Sequence, residues 1–186
     1  MIIDKYKTIF IHIPKNAGTS IETLFANDSF RIQPNKHANI FEIKRKFKNS
    51  YNNYKKFTII RNPYDKMVSW YFYLKKYNEL FQAKWNISFI EWLKNPEKVK
   101  IPFNLNWIEK LGYFKNQDDW IDDTVTIIKY KNLNKEINNL FKKEIDLPLK
   151  NNTKHEHYKT YYNKESSDIV YNRYKKDFKK FNYKKI

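Results

Sequence analysis

Three apolar runs, each followed by apolar positions at helical spacing, organise this chain. The first, "TIFIHI" (8–13), is short, nearly continuous and rich in β-branched residues, the pattern of a strand buried on both faces. Ile21, Leu24 and Phe25 then recur at helical spacing, so the chain reads strand, loop, helix. The same order returns in "FTIIRNPYDKMVSWYFYL", where residues 57–60 form a strand and Met67, Val68, Tyr71 and Leu74 mark one helix face. Pro63 stands where a helix can start, because the N–H it lacks would be unpaired there. A third run, "TVTIIKY" (124–130), precedes a helix marked by Ile137, Leu140 and Phe141. Strands alternating with helices predict an α/β domain with a mostly parallel central sheet flanked by helices.

Two further segments fill out the pattern. "NISFIEWLKNPEK" holds Ser88 and Glu91 at capping-box spacing, apolar Phe89, Ile90, Trp92 and Leu93, and Pro96 as a stop, which predicts a helical insertion. The tail from 163 to 183 predicts one basic amphipathic helix with Ile169, Val170, Tyr174 and Phe178 toward the core. There are no repeats and no Gly/Ser linker, and 186 residues suffice for one domain while being short for two. A single domain over 1–186 is expected.

Composition narrows the chemistry. Hydrophobic residues make up 41% and aromatic residues 18%, enough apolar material to build a core. Thirty-seven Lys and Arg against twenty Asp and Glu give a formal charge of +17, so polyanions such as nucleic acid, anionic glycan, anionic lipid or nucleotide phosphate suit the surface. Many of the lysines sit among Asn, Ile and Tyr, a mixture that AT-rich codon usage also produces, which weakens the charge as a pointer. The absence of cysteine excludes disulfides, thiolate metal sites and cysteine nucleophiles. No apolar run approaches the ~20 residues that span a bilayer, so no transmembrane segment and a cytoplasmic location are expected.

The loop after the first strand carries the candidate chemistry. In α/β sheets ligands bind at the carboxyl ends of strands, where a helix N-terminus offers backbone N–H groups to an anion. Residues 14–20, "PKNAGTS", occupy that place. Gly18 allows close backbone approach, Thr19 and Ser20 supply hydroxyls, and Lys15 supplies a mobile positive charge, the parts of a phosphate or sulfate cradle. The same residues contain a capping box, Thr19 with Glu22, that any helix start can use. The triphosphatase pattern G-x-x-x-x-G-K-[ST] is absent, since it needs a lysine after the second glycine and position 19 is Thr.

Arg61 ends the second strand, and Ser69 lies eight residues on, about two turns into the next helix. If the two strands are parallel neighbours, Arg61 comes near the first loop, where its planar fork could grip a second phosphate with Ser69 adding a hydroxyl. Two anion sites on neighbouring strands suggest a nucleoside with phosphates at both ends.

"FIHIPKNAGTSIE" and "IIRNPYDKMVSWYFYL" together resemble the two signature segments of the sulfotransferases that use phosphoadenosine phosphosulfate (PAPS), most of all the branch that sulfates carbohydrates. "KHANIFEIKRKF" (36–47), "IIKYKNL" (127–133) and the stretch 147–183 extend the likeness more weakly. The resemblance implies a P-loop nucleotide-kinase-like sulfotransferase fold, with PAPS as co-substrate, phosphoadenosine phosphate as product and no metal. It implies that Lys15, Asn16, Ala17, Gly18, Thr19 and Ser20 wrap the phosphosulfate, and that Lys15 neutralises the leaving oxygen. Arg61 and Ser69 would hold the ribose 3'-phosphate, with Asn152 and Lys154 as further nucleotide contacts in a covering loop. The reaction would be an in-line displacement by an acceptor hydroxyl, catalysed by positioning and electrostatics as in phosphoryl transfer. The acceptor would be a glycan or glycolipid, and no specific nucleic acid is expected.

The base is assigned to His37, whose segment resembles the stretch where relatives place a histidine and whose ordinary near-neutral pKa suits the work; Glu42 is the runner-up. His12 reads as a packed strand residue, kept as a minor candidate by its place just before the loop, and Glu22 as a cap. His155 and His157 sit one residue apart in a basic loop without carboxylate or cysteine support, a weak metal pair. Within 103–123 only Gln117 is a possible match to the family, so acceptor contacts cannot be assigned. Against the sulfotransferase stand a polyanion- or nucleic-acid-binding protein, favoured by "YNNYKKF" and "FKKFNYKK", an inactive nucleotide binder, and a kinase, which would need a true P-loop and a magnesium carboxylate.

Overall fold

The computed structural model describes residues 1–28, 30–31, 36–80, 84–96, 114–148 and 155–186. The chain divides into two compact units, one of residues 1–61 with 117–152 and one of 62–116 with 153–186.

The first unit holds the sheet. Its strands are β1 (Ile2–Ile3), β2 (Thr8–Ile11), β3 (Phe30–Arg31), β4 (Lys55–Ile60) and β5 (Thr126–Lys129), ordered β3-β1-β2-β4-β5. The three longer strands run parallel, with Ile11 opposite Thr58 and Ile60 opposite Lys129, while β1 pairs antiparallel with β2 and β3. The fold is α/β, as the alternation predicts. All four residues of β2 are buried, in keeping with its unbroken apolar run, whereas Thr126 and Ile127 of β5 are exposed. Helices α1 (Gly18–Leu24), α2 (Ile40–Lys46), α3 (Lys48–Asn53) and α6 (Leu133–Phe141) belong to this unit. Phe10, Phe57, Ile59 and Ile128 of the sheet form its core with Ile21 and Phe25 from the α1 side and Ile137 from α6.

The second unit is helical: α4 (Pro63–Leu80), α5 (Phe89–Lys94), α7 (Lys164–Arg173) and α8 (Lys175–Lys180). Pro63 opens α4, and the Asn62 side chain accepts from the Tyr64 N–H at 3.0 Å, so the long helix starts where its sequence places it. Ser88 and Glu91 form the expected capping box on α5. Val170, Tyr174 and Phe178 are buried against Tyr64, Met67, Trp70 and Trp92.

Three expectations change. The tail is two helices rather than one, because Tyr174 leaves helical geometry at φ −114°, ψ 29°. The first strand stops at Ile11 and the third spans only Thr126–Lys129, so both are shorter than their apolar runs. The Thr19–Glu22 capping box does not organise α1: the helix begins at Gly18 behind Ala17, and the Glu22 carboxylate turns to His12 and Lys36.

Candidate active site

The carboxyl ends of β2, β4 and β5 bring three loops together. After β2 come residues 12–17, after β4 comes Arg61, and after β5 comes Tyr130. Arg61 is buried, its Nη1 donates to the Lys15 carbonyl at 3.1 Å, and its guanidinium lies 4.4 Å from the centre of the Tyr130 ring. The parallel neighbour relation of β2 and β4 therefore delivers Arg61 to the first loop.

The loop is wound tightly. Lys15 and Ala17 adopt left-handed conformations, φ 69° and 61°, which cost L residues free energy and persist where the surroundings fix them. Asn16, fully buried between them, supplies the anchor. Its Nδ2 donates to the Ile59 carbonyl at 2.7 Å and to Gln117 Oε1 at 2.6 Å, and its N–H donates to the Ile13 carbonyl. A backbone that turns left-handed on both sides of one residue makes a concavity suited to an anion, and α1 follows directly.

Gly18 is needed for space rather than for its φ. A Cβ there would fall 1.8 Å from His12 Nε2, so the imidazole forms the floor under the loop. His12 is buried, stacks on Phe10 and donates from Nδ1 to Glu22 Oε1 at 2.9 Å. Lys36 Nζ holds the other Glu22 oxygen at 2.6 Å. Burial works against the Glu22 charge, but the hydrogen bonds from His12 and Lys36 hold its carboxyl at about 2. Burial pushes His12 below its ordinary value despite that carboxylate.

Burial, with the Arg61 charge added, lowers the Lys15 ammonium to about 7. Two cationic side chains held close in a partly desolvated site favour an arriving anion, which would restore the Lys15 proton.

His37 stands beside His12, with ring centres 4.3 Å apart, and its Nδ1 lies 3.1 Å from the His12 carbonyl. A carbonyl only accepts, so Nδ1 carries the proton and Nε2 keeps its lone pair. The near-neutral pKa expected of His37 does not hold: burial, with the His12 and Lys36 charges, pushes it down to about 3. Glu42 caps α2, its carboxylate accepting from the Asn39 N–H at 2.8 Å, a structural task the sequence reading missed although the Asn39–Glu42 spacing displays it.

Of the remaining candidates, Thr19 and Ser20 lie in the first turn of α1, where Ser20 is buried. Ser69 is buried on α4, in the second unit. His155 and His157 also belong to that unit; His155 stacks on Phe72, and His157 Nδ1 accepts from the Lys159 N–H at 3.4 Å. Asn152 and Lys154 lie outside the described residues. Among the described residues there is no group of three His, Asp or Glu placed to hold a metal ion, and no helix is long and apolar enough to cross a membrane. Gln117, Tyr130 and the Lys36–Glu22–His12 chain are the site features that pattern reading missed or barely touched, because only the folded sheet brings them to the loop.

A family model described as "Sulfotransferase family" matches residues 1–130, a span that contains the whole loop after β2, β4 with Arg61, and α4. No curated protein and no solved structure matches the chain.

Proposed function

The chain belongs to the sulfotransferase family, and from that membership and the arrangement of Lys15 and Arg61 we propose that it moves the sulfuryl group of PAPS to a hydroxyl of a carbohydrate or glycoconjugate. The observation that carries this reading is the Arg61 guanidinium bonded to the Lys15 carbonyl of a loop wound for an anion, close enough for its charge to act on the Lys15 ammonium. Residues 15–20 wrap the phosphosulfate. Lys15, recharged by the anion it meets, neutralises the phosphate oxygen as the bond to sulfur breaks. Arg61 takes the 3'-phosphate, a planar fork against a tetrahedral anion.

The acceptor hydroxyl attacks sulfur in line with the leaving oxygen and loses its proton to a base. His37 is the base of this reading: its Nδ1 bond to the His12 carbonyl leaves Nε2 as proton acceptor, and a bound polyanion raises its basicity from the low value burial imposes. The net charge of +17 suits an anionic glycan or glycolipid acceptor.

Arg61→Ala tests the nucleotide assignment. The parent should prefer phosphoadenosine phosphate over ADP, and the variant should lose about 10- to 100-fold of that preference, the worth of a charge-assisted bidentate contact. ADP, which lacks the 3'-phosphate, should lose less. An Arg61→Ala protein that still discriminates as the parent does would remove Arg61 from the 3'-phosphate site.

A further inference from the structure

We infer that Gln117 is a positioning residue that locks the anion loop and the Arg61 segment into one unit, an inference that rests on reading those two segments as the nucleotide site. The β4–β5 ladder ends with Ile60 opposite Lys129, one residue short of Arg61. The Gln117 side chain continues it: Oε1 accepts from the Arg61 N–H at 2.9 Å, and Nε2 donates to the Arg61 carbonyl at 2.9 Å. A single amide side chain thus does for Arg61 what a strand neighbour would do.

The same Oε1 accepts from Asn16 Nδ2 at 2.6 Å. Asn16 stands between the two left-handed residues Lys15 and Ala17, so its anchor decides whether that winding persists. Gln117 is itself fully buried and opens the 3-10 turn Gln117–Trp120, which Trp120 and Ile121 pin by their burial. Its amide therefore projects from a fixed point. Three bonds to two segments need one group with two acceptor lone pairs and an N–H, which only a carboxamide of this reach supplies. Methionine fills the space and makes none of them.

Gln117→Met should leave the fold intact by circular dichroism and raise amide exchange by about tenfold or more in peptides covering residues 12–20 and 58–62, with little change in α7 and α8. Its affinity for phosphoadenosine phosphate should fall by about 10- to 100-fold, and in an Arg61→Ala background the same substitution should cost much less. Gln117→Asn, one methylene short, serves if methionine prevents folding and should show the same pattern at smaller size. Unchanged exchange in the two segments, or losses that add in full in the double variant, would overturn the positioning role. A parent protein that fails to bind phosphoadenosine phosphate would sink the nucleotide reading instead, while the exchange result, read without ligand, still decides what Gln117 holds.

Discussion

Lys15→Met should lower kcat/KM for sulfuryl transfer by about a hundredfold or more while making the ligand-free protein more stable, most clearly at pH 6. Removing a group that stabilises charge developing on a leaving oxygen costs about 2–4 kcal/mol of barrier, which sets the size of the first effect. The second follows from the desolvation of the ammonium. Its folded pKa of about 7 lies below the ordinary 10.5, so the unfolded chain binds the extra proton between those values and stability rises with pH across that window. Below about pH 7 the cost of the buried charge is full, and there methionine, of similar length and apolar, should raise Tm; each kcal/mol gained is worth roughly 2–4 °C in a chain of this size. At pH 9 the gain should shrink. Calorimetric melts at the two pH values, beside steady-state rates, read both effects. A lower Tm at pH 6, or turnover retained, would contradict the role given to Lys15.

The same pKa predicts how the parent binds. An anion on the loop stabilises protonated Lys15, so binding takes up a proton whenever the free protein has lost it. Affinity should fall by about tenfold per pH unit above about 7, and Lys15→Met should remove that slope.

Gly18→Ala should be comparably severe for a steric reason. The added methyl would lie 1.8 Å from His12 Nε2, and the ring has no easy retreat: it is 4% exposed, stacked on Phe10 and held by Glu22 at 2.9 Å. Either α1 shifts or the imidazole leaves its carboxylate. Overpacking of this kind costs about 1–3 kcal/mol. Because the displaced element is the start of α1, affinity for phosphoadenosine phosphate should fall by about a hundredfold. His12→Ala in the same chain removes the obstacle, so the double variant should melt and bind closer to the parent than Gly18→Ala alone. Parent-like behaviour of Gly18→Ala would show that His12 is not the floor of the loop.

The parts of this fold that could be read from sequence are those whose signal is local. The apolar run of β2, the Pro63 start of α4 and the Ser88–Glu91 cap need only neighbouring residues to express themselves, and each stands in its place. β1 and β3 are two residues long, too short for any periodicity to mark them. Glu22 shows how a local signal is overridden: its spacing from Thr19 suits a cap, yet His12 and Lys36 hold its carboxylate more strongly than backbone N–H groups could.

The candidate site divides the same way. Residue types at strand ends announced the loop and Arg61, and parallel pairing brought them together. What the residue types could not announce is environment. Burial changes His37 from a near-neutral imidazole to a group at about 3, and burial beside Arg61 changes Lys15 from a permanent cation to one that titrates near neutrality. Gln117 sits in a stretch with no readable period, and its meaning comes from bonds to residues 56 and 101 positions away.

Titration calorimetry of the parent protein with phosphoadenosine phosphate, beside ATP and AMP at physiological salt, tests the central claim most directly. Saturable micromolar binding to the 3'-phosphorylated nucleotide, with ATP and AMP far weaker, is the predicted result. Equal binding of all three, or none, would contradict a PAPS site built on Lys15 and Arg61.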